Sequence, residues 1–234
     1  MHNTVMYPRQ GMPKQPDPRV RPLLVDAAAR LLSEEGRPAV TARRVASAVG
    51  ASTQAVYTHF GGMDDLVAEV WREGFRRFGE ALDAPAVTRD PVADWMAQGW
   101  GYRRFALDDR HLYRVMFGDG LGAFPGGRPA DLEAASATFL SLLRRIERCQ
   151  EAGRWRVEDT FTAGEVVWAM THGHCTIELS DYFNAVGRNP EVTFNECLVR
   201  MALGFGDDPD LVVASSRRAR RRAGGGAPAA APQR

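Results

Sequence analysis

Polar side chains of the kinds that bind nucleic acids are concentrated between residues 41 and 59. A glutamine amide can form two hydrogen bonds with adenine, and a hydroxyl group can contact any base edge, whereas cationic and other polar side chains contact phosphates. The candidates for reading base edges are Ser52, Thr53, Gln54 and Thr58. The candidates for phosphate contacts are Thr41, Arg43, Arg44, Tyr57 and His59. Each kind also has a plain alternative, with the arginines as a solvated pair, the tyrosine as a packing aromatic and the histidine as a helix-end residue.

Two short helices joined by a tight turn are predicted to hold these side chains. Thr41 is a suitable N-cap for the first helix, and apolar residues then recur at helical spacing. Gly50 breaks the pattern, and Ser52 can cap a second helix on which Val56 and Phe60 share an apolar face. Two helices that meet steeply across a short glycine-containing turn form a helix-turn-helix, whose second helix can enter a DNA major groove.

The charge is distributed unevenly along the chain, although the formal net charge is only +1. Residues 1–60 carry a net charge of +4 and residues 215–234 carry +6, so residues 61–214 carry −9. A basic beginning joined to an acidic body is consistent with a DNA-binding end attached to a domain that does not bind DNA. The arginine cluster near the C-terminus could add non-specific attraction to DNA, and a solvated tail without function explains it equally well.

Catalysis and metal binding have no support in the sequence. No Ser/His/Asp or Cys/His arrangement can be assembled from the spacing of the candidate residues. His172, His174 and Cys175 resemble a metal cluster, but residues 172 and 174 point in different directions on a helix. We therefore expect neither an enzyme nor a protein with a metal or another cofactor.

The cysteines and the termini indicate a soluble cytoplasmic protein without a membrane association. Cys149, Cys175 and Cys197 are an odd number of widely spaced thiols, which is typical of a reducing compartment. The first 18 residues contain no apolar run that could act as a signal-peptide core. The longest helical stretch without charged residues, 166–177, is shorter than the roughly 20 residues that span a bilayer.

The rest of the chain predicts an all-α protein with four parts. Residues 1–18 form a disordered arm, residues 19–65 a three-helix DNA-binding domain, residues 66–206 a helical effector-binding and dimerisation domain, and residues 207–234 a disordered basic tail. A Gly/Pro-rich loop at 118–131 lacks the pattern of a phosphate-binding loop, so it is interpreted as mobile.

Aromatic and apolar stripes in the second domain predict a ligand pocket, with plain hydrophobic core as the alternative for most of the residues. Because few charges interrupt the stripes, an apolar or aromatic effector is favoured. The candidate lining residues are Trp95, Trp100, Phe105, Tyr113, Met116, Phe117, Phe139, Leu143, Trp168, His172 and Cys175. The helix predicted at about 159–183 is apolar around most of its circumference, so we expect one side of it, with the helix after Pro190, to face a second subunit.

The order of residues from 23 to 69 closely resembles the N-terminal domain of the tetracycline-repressor (TetR) family of transcriptional regulators. The resemblance rests on Leu31-Leu32, Gly36, Thr41, Val45-Ala46, Val49-Gly50-Ala51-Ser52, Val56-Tyr57-Thr58-His59-Phe60 and Asp65-Leu66. Trp168, His172 and Gly173 also match a Trp-x3-His-Gly signature in the C-terminal domain of one branch of that family.

This resemblance implies a homodimer that binds a palindromic operator on double-stranded DNA and responds to a small-molecule effector. The family often has Gly at the position of Gln54 and usually Lys at the position of Met63. The first difference adds an amide on the groove-facing side, and the second removes a phosphate contact, so we expect somewhat weaker DNA binding. The leading hypothesis is a repressor, and the alternative is a helical ligand-binding or enzymatic dimer with a degenerate helix-turn-helix.

Overall fold

The computed structural model describes residues 17–118 and 129–223, and the regular structure in these ranges is helical. Most of the N-terminal arm, most of the Gly/Pro-rich loop and the last residues of the tail lie outside the described residues. The helices of the described ranges are α1 (Val20–Glu35), α2 (Ala42–Ala48), α3 (Thr53–Phe60), α4 (Met63–Asp83), α5 (Pro91–Asp108), α6 (Arg110–Phe117), α7 (Pro129–Glu151), α8 (Thr160–Leu179), α9 (Tyr182–Ala185), α10 (Pro190–Gly204) and α11 (Pro209–Arg222). The predicted all-α class is confirmed.

The chain divides into two compact units, Met1–Val67 and Ala68–Arg234. The division falls inside α4, two residues after the boundary expected from the sequence. Among the helices of the described ranges, none has both the length and the apolar composition needed to cross a membrane.

Two hydroxyl caps and one glycine shape the helix-turn-helix of the first unit. Thr41 Oγ1 accepts a hydrogen bond from Arg44 N at 3.3 Å and so caps α2. Ser52 Oγ accepts one from Ala55 N at 3.2 Å and so caps α3. Between them Gly50 has φ +66°, a conformation in which a side chain would be strained. These local devices, all readable in the sequence, set where α2 ends and α3 begins.

The core of the first unit leaves most of α3 at the surface. Leu24 and Val25 of α1, Val45 of α2 and Leu66 of α4 are buried. Burying an aliphatic side chain of this size stabilises a fold by roughly 1.5–3 kcal/mol. Val56 is the buried residue of α3, and Ala55, His59 and Phe60 are half-buried. The exposed positions of this helix remain available to a partner.

Several helices of the second unit begin in the same way, with an acidic or amide N-cap followed by proline. The cap side chain accepts a backbone N–H of the first turn, and proline at the first position loses no hydrogen bond there. The starts built in this way are Asp90-Pro91 of α5, Asn189-Pro190 of α10 and Asp208-Pro209 of α11. Helix α5 is buried along most of its length and packs against α7, α8 and α11.

The predicted disorder of residues 207–234 is wrong for the part that the structure describes. Residues 209–222 form α11, which packs along α5 and buries Val212 and Ala219. Two of the arginines form ion pairs with α5 and its N-cap, Arg218 with Asp90 at 2.6 Å and Arg222 with Asp94 at 2.7 Å. These arginines therefore neutralise acids of the second unit. The helix expected after Pro190 is α10, and α11 follows it in the chain.

Candidate nucleic-acid interface and ligand cavity

The structure leaves eight of the nine predicted nucleic-acid contact residues exposed, and His59 is half-buried. Tyr57 is 47% exposed, so it is not the packing aromatic of the plain alternative. On the same helix, Thr58 Oγ1 donates to Gln54 O at 2.8 Å, and this bond holds the Thr58 hydroxyl against the backbone. The Gln54 side chain is exposed and retains both its donor and its acceptor groups for a base edge.

Thr41 and Ser52 both cap helices with their hydroxyl oxygens. Because each oxygen accepts the backbone N–H, each hydroxyl hydrogen remains available to donate to a phosphate. Thr53 follows at the first position of α3 and is exposed. The start of α3 therefore offers hydroxyl donors together with its positive helix end, an arrangement that favours an anion.

The two arginines of α2 have different surroundings. Arg44 forms a bidentate ion pair with Glu35, with nitrogen–oxygen distances of 2.7 and 2.8 Å. The Arg44 guanidinium holds the pKa of the Glu35 carboxyl below its usual value. Arg43 is exposed and has no ion-pair partner in the described ranges. Arg43 can therefore reach a phosphate directly, whereas Arg44 must first give up Glu35.

The start of α4 is unfavourable for a phosphate. Met63 is half-buried at its first position, and the first turn carries Asp64 and Asp65. Asp64 pairs with Arg37 at 2.5 Å. Two carboxylates occupy the positive end of the helix, where an anion would otherwise be favoured. This helix end therefore does not compensate for the absence of a lysine at position 63.

A cavity of about 340 Å³ lies inside the second unit. Its wall is built by α4, α5, α6, α7 and α8, with Leu198 from α10, and is mostly aromatic and aliphatic. The described wall residues are Trp71, Phe75, Phe78, Leu82, Trp95, Gln98, Gly99, Tyr102, Met116, Phe117, Ala135, Thr138, Phe139, Leu142, Phe161, Glu165, Val167, Trp168, Thr171 and Leu198. A cavity of this size and composition is typical of a site for a small hydrophobic molecule.

Five of the predicted lining residues belong to this wall and six do not. Those on the wall are Trp95, Met116, Phe117, Phe139 and Trp168. Those not on it are Trp100, Phe105, Tyr113, Leu143, His172 and Cys175. Trp100 instead packs edge-on against Phe194, with ring centroids 4.9 Å apart, and Phe105 packs against Phe78 at 5.2 Å. These two rings therefore belong to the hydrophobic core between helices, which is the alternative to pocket lining given in the sequence analysis.

The other residues of that group also have structural roles. Leu143 lies so close to α8 that a Cβ on Gly164 would come within 2.5 Å of it. Cys175 is fully buried, and burial raises the pKa of its thiol to about 12. Cys149 is buried as well, whereas Cys197 is only half-buried. Neither buried thiol is activated for chemistry, since a raised pKa keeps it protonated.

A hydrogen-bonded chain behind the wall includes the histidine of the Trp-x3-His motif. The Tyr113 hydroxyl lies 2.7 Å from His172 Nδ1, and the Tyr102 hydroxyl lies 3.3 Å from that of Tyr113. Burial lowers the pKa of His172, so its ring is neutral and Nδ1 can accept from Tyr113. The ring of Trp168 lies one turn away on α8, with its centroid 6.0 Å from that of His172. This chain includes one wall side chain, Tyr102, and its histidine ring packs against a second, Trp168.

The sequence interpretation missed the contribution of α4 to the cavity. Trp71, Phe75, Phe78 and Leu82 form a regular apolar stripe that is recognisable in the sequence, but none of them is among the candidate lining residues given there. Among residues 17–118 and 129–223, no group of three His, Cys, Asp or Glu side chains is placed to hold a metal ion.

Two family models match the chain. One, described as bacterial regulatory proteins of the tetR family, matches residues 24–70, from α1 into α4. The other, described as the tetracyclin repressor-like C-terminal domain, matches residues 95–201, from α5 into α10. Together they cover well over half of the sequence. The chain belongs to the tetR family.

Individual relatives of this tetR-family chain are distant. It is 30% identical over 105 residues to the HTH-type transcriptional regulator BetI of Brucella anthropi, a match that covers 43% of the chain and 52% of that relative. A Rhodococcus sp. RHA1 protein of unknown function is similar in structure, with a TM-score of 0.70, 24% identity, and coverage of 83% of this chain and 100% of that one. The fatty acid degradation regulator FadR of Bacillus halodurans has a TM-score of 0.69, 16% identity and the same coverage. These structures support the fold alone.

Proposed function

We propose that this tetR-family chain is a ligand-responsive DNA-binding transcriptional regulator, a cytoplasmic repressor released from a palindromic operator by a small apolar or aromatic effector. The observation that carries the proposal is the surface of α3, which buries Val56 and exposes Thr53, Gln54, Tyr57 and Thr58. A short helix with polar side chains on its open faces is suited to a major groove. The cavity in the second unit supplies the place for an effector.

The proposed mechanism is linkage between the effector and the operator. In one state of the dimer the separation of the recognition helices fits the operator, and in the other it does not. An effector that binds more tightly to the second state lowers operator affinity by the ratio of its affinities for the two states. In the DNA-bound dimer, the two copies of α3 would lie about one helical turn of DNA apart, on the order of 34–36 Å. Effector binding therefore needs no direct contact with DNA.

An apolar stripe on α8 supports a homodimer. Val166, Met170 and Ile177 are each more than two-fifths exposed and lie, with Gly173, along one face of the helix. The sequence predicts that Gly173 lies where two helices approach closely, yet a Cβ built there meets no described atom within 4 Å apart from its chain neighbours and its own helix backbone. A second copy of α8 could approach at this glycine, as it would in a packed helix pair. Exposed apolar residues on α10, among them Val192, extend the same kind of surface.

The dimer is tested by placing a charge on this stripe. Met170→Glu should raise the dimer dissociation constant at least tenfold, because a carboxylate would be buried without a partner. Sedimentation equilibrium over a range of protein concentrations measures this constant. Leu140→Glu, on an exposed apolar position of α7, is the matched control and should leave the constant unchanged. A wild-type protein that stays monomeric at high concentration would contradict the homodimer.

The DNA proposal is tested with two variants of the first unit on DNA upstream of the protein's own gene. Gln54→Ala should relax preference at one base position, by about 1–3 kcal/mol of discrimination. Arg43→Ala should weaken all sequences alike and lower the slope of affinity against salt by about one. Arg30→Ala, an exposed arginine of α1, is the control and should change neither quantity. Electrophoretic mobility-shift assays at two salt concentrations measure both the base preference and the salt dependence of affinity.

The alternative is a helical ligand-binding or enzymatic dimer whose helix-turn-helix is degenerate. Met63 and the acidic first turn of α4 favour it, since both reduce attraction to phosphate. Weak binding that is fully salt-sensitive and unaffected by Gln54→Ala would support this alternative. Proteins of the tetR family are generally not enzymes, which is the reason for ranking it second.

We also propose that the chain belongs to the branch of the family that carries Trp-x3-His-Gly. The contact of Trp168 with His172 and the bond of His172 to Tyr113 support this assignment, because they make the two motif residues one structural group. A family tree that places the chain away from sequences with this motif would overturn it.

A further inference from the structure

We propose that the cavity selects an uncharged hydrophobic molecule with a hydroxyl group, and that Gln98 and Thr171 recognise that hydroxyl. The inference rests on the proposed function, since it names the chemical class of the effector. Both residues lie on the cavity wall, and each is only 3% exposed. They supply polar atoms on a surface that is mostly aromatic and aliphatic.

The orientation of the Gln98 amide is set by two bonds outside the cavity. Gln98 Nε2 donates to Ser141 Oγ at 3.0 Å, and Ser141 Oγ donates to Asp83 Oδ1 at 2.8 Å. A carboxylate oxygen only accepts, so the Ser141 hydrogen points to Asp83 and the Ser141 oxygen remains to accept. The NH₂ end of the amide can fill that role and the carbonyl end cannot. The amide is therefore oriented by the chemistry of its neighbours, with Oε1 at the opposite end.

This orientation leaves an acceptor without a donor. Gln98 Oε1 is buried and has no hydrogen-bond partner among the residues that the structure describes. The Thr171 hydroxyl is buried and unpartnered within the same ranges. A buried polar group left in this state destabilises the protein, because it has lost its hydrogen bonds to water and gained none in return. A ligand hydroxyl has the donor that Gln98 lacks and an oxygen that can accept from Thr171, so it carries the group that each of the two residues needs.

The remaining wall favours a neutral ligand. The described lining contains no Lys, Arg or His that could pair with an anion. Its one acidic residue, Glu165, is exposed, so its charge is solvated and attracts a buried cation weakly. The Thr138 hydroxyl, also on the wall, already donates to Ala135 O at 2.7 Å and has no need of a ligand. The unsatisfied groups are therefore specific to Gln98 and Thr171.

The test uses three probes with one skeleton: 2-naphthol, which has a donor, 2-methoxynaphthalene, which has only an acceptor, and naphthalene, which has neither. Titration calorimetry on the full chain without DNA measures their affinities. The wild type should bind 2-naphthol at least tenfold more tightly than either of the other two, because only the hydroxyl satisfies the buried acceptor.

Variants of matched size assign the preference to residues. Gln98→Met and Thr171→Val remove polar atoms with little change in volume, and each should reduce the preference for 2-naphthol to less than threefold. Thr138→Val is the control, since its hydroxyl is already bonded, and should keep the full preference. Naphthalene binding by Gln98→Met, with an affinity at least that of the wild type, would show that the variant still folds and keeps the cavity.

Three outcomes would overturn the inference. They are equal wild-type affinity for all three probes, no binding of any of them, and tighter binding of naphthyltrimethylammonium, which would indicate a cation site at Glu165. None of these results depends on DNA, so each can occur while operator binding stands. Conversely, a failure of operator binding with an intact preference for 2-naphthol would reject the proposed regulator and leave the ligand class in place.

Discussion

The Asp94→Asn variant is expected to lose about 3–5 kcal/mol of its free energy of unfolding, the usual result of removing one partner from a buried ion pair. Asp94 is fully buried and accepts from Thr88 N at 2.7 Å, from Arg148 Nη1 at 3.0 Å and from Arg222 Nη1 at 2.7 Å. An amide at this position would leave two guanidinium groups without their charge partner. Denaturant unfolding at pH 7 measures the loss.

The difference between Asp94→Asn and the wild type should also depend on pH. Burial raises the pKa of Asp94, but the bonds from Thr88, Arg148 and Arg222 outweigh burial and hold this pKa below its usual value. The stabilisation by a carboxylate of this kind is complete above the unfolded-state pKa of about 3.9, and it is lost as the pH falls through the lower folded-state value. The two proteins should therefore differ fully at pH 6 and progressively less below pH 4.

A control on the same helix separates this effect from general charge removal. Asp108 is the exposed last residue of α5, and Asp108→Asn should change stability by less than about 0.5 kcal/mol. An Asp94→Asn variant as stable as this control would show that the buried ion pairs of Asp94 do not stabilise the fold.

Replacing Gly101 by alanine is expected to destabilise the second unit by about 3 kcal/mol, the upper part of the range for an overpacked core. A Cβ at Gly101 would lie 2.4 Å from Ala81 O, inside any permitted contact distance. The obstructing atom belongs to the backbone of α4, so no side-chain rotation can relieve the clash. Either α4 or α5 must move, and both line the cavity. The melting temperature and effector affinity should fall together.

Gly79→Ala is the matched control for this substitution. Gly79 also lies inside a helix of the second unit, but the nearest neighbour of an alanine methyl group at this position would be Thr138 Cγ2 at 3.9 Å, an ordinary contact. With no clash, the higher helix propensity of alanine should stabilise the protein by up to about 1 kcal/mol. A similar loss in both variants would refute close approach as the reason for glycine at position 101.

The helices and the exposed face of α3 were predictable because local signals determine them. Thr41 and Ser52 are cap residues at the expected distance from an apolar repeat, and Gly50 separates the two repeats. Helix α11 was not predictable in this way, because low-complexity composition obscures Val212 and Ala219. Its stabilising partners on α5 lie more than 120 residues away in sequence.

The cavity was predictable only in part for a different reason. Periodicity shows which residues share a helix face, but it does not show what that face packs against. Trp100 and Trp95 are the same residue type on one helix, yet Trp100 packs on Phe194 whereas Trp95 lines the cavity. The polar wall residues Gln98 and Thr171 carry no sequence signal, since only the bonds of their neighbours reveal their unsatisfied atoms.

The position of α11 bears on how truncations of the chain before this helix would act. A stop codon just after Asp208 would delete Arg218 and Arg222 and leave the carboxylates of Asp90 and Asp94 short of cations. It would also expose to solvent the apolar surface of α5 against which α11 packs. Nonsense alleles that end the chain before α11 should therefore behave as null alleles, and a purification tag belongs after residue 223 and not in place of α11.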